Sequence, residues 1–187
     1  MPAILLTAPA AEPVTLAMAK AHLRIGHGDD DQAITTLIAA ARRVAEARTG
    51  LCFITQAWLC LFDAWPEDLT VRLPVAPLAA ITEVAVFAAD GAKAVLAPAL
   101  YVADLASRPP RLAPVNGVWP SPGRALNGIG ITVTAGFGAA PESVPEPLRQ
   151  AVLLLVAHWY AHRGDEAAPQ VPASVMALLA PYRAVRP

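Results

Sequence analysis

His158 and His162 stand four residues apart in a segment with helical periodicity, so their rings share one helix face. That spacing suits two zinc ligands. A metalloprotease helix, however, carries a glutamate directly after the first histidine as general base, and here the position holds Trp159. Asp165 and Glu166 could supply a further ligand only from beyond the expected helix end at Gly164. The acidic run Asp29–Asp31 lacks the oxygen-ligand spacing of a calcium loop and is expected to cap a helix instead. Gly130, Gly136 and Gly138 cluster around a strand end, but no Gly-Lys-Ser/Thr follows, so no phosphate cradle is expected. Ser107, Ser121, Ser143 and Ser174 are the only serines, and none sits in a Gly-x-Ser-x-Gly elbow. Cys52 and Cys60 flank or enter one expected strand. Eight residues at about 3.3 Å each hold them beyond disulfide reach, so buried thiols are expected. No catalytic residue, cofactor site or metal site is expected from these patterns.

The bulk composition points elsewhere. The chain is 56% hydrophobic and 16% charged, against roughly 25% charged for an average domain. Such a sparse ionic coat leaves apolar surface that a second molecule would cover. The net charge is −1, and Lys20 and Lys93 are the only lysines. That excludes the basic footprint of a dedicated DNA-binding domain. The stretch Met1–Glu12 has no basic n-region and no signal peptide is expected; the apolar run Ala151–Ala157 is too short to span a bilayer.

The elements follow from periodicity and punctuation. Thr15 is placed to cap a helix through Leu23. Ile34, Leu37, Ile38, Ala41, Val44 and Ala45 give one apolar face to a helix over Asp31–Thr49, with Arg42, Arg43, Glu46 and Arg48 on other faces and Gly50 as stop. Strands are expected over Ile54–Phe62, Leu69–Leu73, Ile81–Ala88 and Ala92–Leu96 around Asp90-Gly91, Leu100–Asp104, and Ile129–Ala135. The proline-dense stretch Arg108–Trp119 reads as a loop. A helix from Pro147 to about Arg163 is apolar on nearly every side, with Leu148, Val152, Leu155 and Trp159 on one stripe and Leu153, Val156 and Tyr160 on another. That all-round apolarity predicts a neighbouring subunit against Leu153, Val156 and Tyr160. Trp119, in its proline-rich loop, is expected at the same kind of contact. A last short helix starts near Pro172 and stops at Pro181.

In order along the chain, several segments resemble the head–tail connector (adaptor) proteins of tailed bacteriophages and gene transfer agents. They are Glu12-Pro13-Val14-Thr15-Leu16 with Ala19 to Arg24, the acidic Asp29–Asp31, and Arg48-Thr49-Gly50. Ile54-Thr55-Gln56, Leu73-Pro74, Pro77-Leu78, Tyr101-Val102 and Ile131 to Gly138 follow, then Pro145 to Leu148 and Ala157-His158-Trp159-Tyr160. The extended stretch Arg108–Gly128 departs from that pattern.

The resemblance implies a structural subunit without catalytic residues, one of a dodecameric ring between the portal and the stopper or tail proteins, which extends the DNA channel. It implies no membrane and only transient DNA contact. It also implies a location at the head–tail junction of a particle assembled in the bacterial cytoplasm. By position, the portal-docking role would fall to the C-terminal tail 181–187, with Tyr182, Arg183 and Arg186 as anchors. The expected fold is α+β: one adaptor domain over 1–187, a helical bundle from 15–50 and 146–180, and an antiparallel β-rich insertion over 54–135. The competing readings are an oligomeric protein-binding module of other purpose, and a small metal-dependent enzyme using His158 and His162.

Overall fold

The computed structural model describes residues 2–163 and 170–183. They are α+β, with helices and antiparallel sheets in two compact units. The first unit takes residues 2–8 and 55–136; the second takes 9–54 with 137–163 and 170–183.

The first unit is all β apart from one short 3₁₀ turn. Its main sheet contains β1 (Ala3–Thr7), β2 (Gln56–Phe62), β4 (Leu78–Phe87), β5 (Lys93–Val95) and β8 (Ile129–Ala135), in the order β1-β2-β8-β4-β5. All four pairings are antiparallel. β8 alternates as its sequence predicts: Ile129, Ile131, Val133 and Ala135 are fully buried at the sheet centre. The β4–β5 hairpin turns through Gly91, whose φ of +88° is cheap only for glycine. A second sheet holds β3 (Val71–Arg72), β7 (Arg111–Pro114) and β6 (Tyr101–Asp104), in the order β3-β7-β6. Two of these strands correct the sequence reading. β1 was not expected because Ile4, Leu5 and Leu6 are consecutive rather than alternating. β7 lies within the expected loop, because prolines at 109, 110 and 114 obscure a strand that needs few backbone donors.

The second unit is helical. α1 (Leu16–Leu23) is capped by Thr15, whose Oγ1 accepts the Met18 N–H at 3.2 Å. α2 (Asp31–Thr49) ends at Gly50 with φ +72°. α3 (Glu146–Ala161) packs against α1, α2 and α4 (Ala173–Leu179), and a 3₁₀ turn, Ala180–Tyr182, follows α4. Leu148, Ala151, Val152, Leu155 and Val156 of α3 are buried against Ile34, Ile38 and Ala45 of α2 and their neighbours. Arg42 breaks the expected pattern: it is buried on α2, not placed on an outer face. Its Nε donates to Glu12 Oε2 at 2.7 Å and its Nη1 to Glu46 Oε2 at 2.7 Å, while Glu46 Oε1 accepts the Phe53 N–H at 2.7 Å. One guanidinium thereby ties together the entry to α1, the middle of α2 and the chain leaving α2.

Both cysteines are buried. Burial pushes the Cys60 thiol up to about 11. At pH 8 its thiolate fraction is then about a thousandth. We expect Cys60 to react with a disulfide reagent at least tenfold more slowly in the folded protein than in urea. Equal rates in the two conditions would show that this strand is not closed.

Candidate functional site

The rings of His158 and His162 lie 4.4 Å apart, centroid to centroid, and tilted. His162 Nδ1 is 2.7 Å from the His158 carbonyl oxygen, so that nitrogen is committed to the helix end as a donor. No group of three or more His, Cys, Asp or Glu side chains among the described residues is placed to hold a metal ion. Asp165 and Glu166 lie outside the described residues.

The acidic run does something other than capping. Asp30 occupies the N-cap position of α2, yet its side chain makes no cap hydrogen bond. Its carboxylate instead accepts the Tyr160 hydroxyl and lies 3.4 Å from Arg163 Nη1. The Tyr160 hydrogen bond, with the Arg163 charge beside it, holds the Asp30 carboxyl below the usual range. Asp31 accepts Lys20 Nζ of α1 at 2.6 Å. Adjacent aspartates thus tie the start of α2 to the end of α3 and to α1. Arg163 also lies over the Tyr160 ring, 4.2 Å from its centroid.

The residues expected at contacts are distributed unevenly. Leu153 and Tyr160 are partly exposed on α3, but Val156 is fully buried in its own chain and offers no surface to a neighbour. Trp119 is also turned inward, at 7% exposed. It stacks on Trp65 with ring centroids 4.2 Å apart and donates from Nε1 to the Leu69 carbonyl at 2.8 Å. Tyr182 is half-buried and Arg183 exposed at the end of the last 3₁₀ turn, while Arg186 lies outside the described residues.

The apolar surface sits elsewhere. All nine exposed large hydrophobic residues among the described residues belong to the β unit, among them Ile4, Leu5 and Leu6 on β1, Val102 on β6, Val118 and Leu126. The all-round apolarity of α3 predicts this surface on that helix instead. Packing by α1, α2 and α4 covers most of it. No helix among the described residues is long and apolar enough to cross a membrane.

The model of the phage gp6-like head-tail connector proteins matches residues 13–90. A chain in the neck of an empty gene transfer agent (GTA) particle, solved with C6 symmetry, is 32% identical. That match covers 100% of this chain and 97% of the other, with a TM-score of 0.86. The chain belongs to the head-tail connector family. A chain of a native GTA virion is similar at 31% identity and TM-score 0.87, covering 100% and 97% of the two chains. A chain from the neck of a native GTA particle, solved with C12 symmetry, gives 32% and 0.82 over the same shares. No curated protein matches the sequence. The connector is therefore a structural adaptor of the head–tail junction in a phage-like particle, and its family consists of structural virion proteins.

Proposed function

We propose that copies of this connector form a ring, dodecameric in the complete particle, between the portal and the stopper or tail-completion protein. The ring continues the DNA channel. The carrying observation is the full-length likeness to neck chains from GTA particles solved with C12 and C6 symmetry. A net charge of −1 suits a channel wall, since a surface without excess positive charge displaces few of the counterions condensed on DNA and so holds it weakly. In this reading the helices of both chain ends form the bundle, the β-rich segment is an insertion into it, and no catalysis is involved. Leu153 and Tyr160 face the neighbouring copy. Tyr182, Arg183 and Arg186 anchor the C-terminal end on the portal, because Tyr and Arg supply much of the energy in interface centres.

The test is in particles from the source of this chain. Tyr182→Ala with Arg183→Ala is expected to weaken portal capture by at least tenfold, and loss of the chain is expected to give filled heads without tails. His158→Ala with His162→Ala is expected to leave assembly intact. Tailed particles formed without this chain would overturn the assignment.

A further inference from the structure

The main sheet is open at both ends, and the two open edges differ. β1 carries Ile4, Leu5 and Leu6 in succession, between 43 and 52% exposed. It has no charged residue and no proline. Edge strands that stay free are usually blunted by lysine, proline or a short length; an uncharged apolar edge is a template for another strand. At the far end, β5 pairs with Ala85–Phe87 of β4, and Leu96 just after it donates to the Val84 carbonyl at 2.8 Å. The preceding half of β4, from Leu78 to Glu83, bonds to β8 on one side. It has no strand on its other side among the described residues. Ala79, Ala80 and Thr82 are exposed there and leave room for larger side chains.

The two edges also match in height and direction. Ala3 is opposite Cys60, Cys60 opposite Ile131, and Ile131 opposite Val84; Thr7 reaches Ala80 through Ala57 and Thr134. Ile4 to Thr7 of β1 therefore stand level with Glu83 to Ala80 of β4 at the opposite end of the sheet, while Ala3 is level with Val84, whose carbonyl already accepts the Leu96 N–H. Every neighbouring pair is antiparallel, so β1 and β5 run in the same direction. A second copy placed alongside without a rise brings its β1 into the lane that β5 begins, antiparallel to β4. A head-to-tail contact with a rise would build a filament, whereas a level one can close into a ring.

The geometry points to strand exchange between copies: β1 of each connector pairs antiparallel with the free half of β4 in the next, so that the sheet continues around the ring. This rests on the ring reading above and names the surface that builds it. Ile4 is level with Glu83 through Leu59 and Thr132, and cross-strand Cβ atoms lie about 5 Å apart. Ile4→Cys combined with Glu83→Cys should therefore cross-link neighbouring copies. Glu83 contributes only an exposed ion pair with Lys93, so its replacement spares the fold.

In particles purified from the source of this chain, mild oxidation of the double variant is expected to convert the monomer band into a ladder ending at the full ring. Either single variant should stay monomeric. Ile4→Cys with Lys93→Cys should also stay monomeric, because Lys93 pairs with Phe87, about 13 Å further along β4. Particles that hold a ring of the double variant but show no ladder would overturn strand exchange and leave the ring reading standing. Particles that lack the chain altogether would overturn both.

Discussion

Arg42→Ala is expected to cost the helical unit about 3–5 kcal/mol, the range for removing one partner of a buried ion pair. That is a large share of the roughly 5–15 kcal/mol that holds a typical domain folded. Arg42 is only 6% exposed. Burial works against its charge, but the hydrogen bonds and charges of Glu12 and Glu46 outweigh that and hold the guanidinium above its usual range. Removing it leaves Glu12 and Glu46 facing the same vacated space, with Glu46 still bound to the Phe53 N–H. Two partly buried carboxylates then repel each other without a cation between them. Arg42→Lys keeps the charge but loses the fork that reaches both carboxylates, so an intermediate loss is expected. Urea unfolding followed by far-ultraviolet circular dichroism checks this through the midpoint. A shift for Arg42→Ala worth less than about 1 kcal/mol, the scale of an exposed ion pair, would show that the cluster is solvated and structurally idle.

Arg42 also marks a limit of sequence reading. The apolar face of α2 was legible because Ile34, Ile38, Ala41 and Ala45 recur at helical spacing and Gly50 stops the helix. Nothing local said that an arginine beside that face would be enclosed, because its first partner, Glu12, lies 30 residues away. β8 was legible because it alternates between two central strands. β1 was not, since an edge strand need not alternate and Ile4-Leu5-Leu6 reads equally as a stray apolar run. The same gap displaced the contact surface. Apolar side chains all round α3 predict cover, and the sequence does not distinguish cover by the chain's own helices from cover by another copy. The aspartates at 29–31 are legible as a helix start, but the partners of Asp30 and Asp31, Tyr160 and Lys20, come from separate helices. The family was legible because order and spacing of short segments survive where no single motif does.

Trp119→Ala is expected to destabilise the β unit by about 3–5 kcal/mol, the usual cost of emptying a buried aromatic site. The sequence placed this residue at a contact surface, and the two positions predict opposite results. A tryptophan at an interface can be truncated with little effect on the isolated chain and a large loss of assembly. Here the ring is sandwiched on Trp65 with an interplanar angle of 7°, and its N–H fixes the Leu69 carbonyl. Leu69 itself holds a φ of +60°, a conformation that costs a branched residue energy and persists only where surroundings enforce it. Truncation removes the stacked face and the donor together, leaving Leu69 with strain and an unmet carbonyl beside the buried Val71 and Leu112. Trp119→Phe keeps an aromatic face and loses the hydrogen bond, so a smaller loss of about 1 kcal/mol is expected. The stacked indoles also give the chain a near-ultraviolet circular dichroism signal that Trp119→Ala should remove and Trp119→Phe should reduce. An unchanged unfolding midpoint in Trp119→Ala, with weakened particle assembly, would return this ring to the connector's outer surface. The loop from 115 to 128 would then have to open for the indole to reach a neighbour.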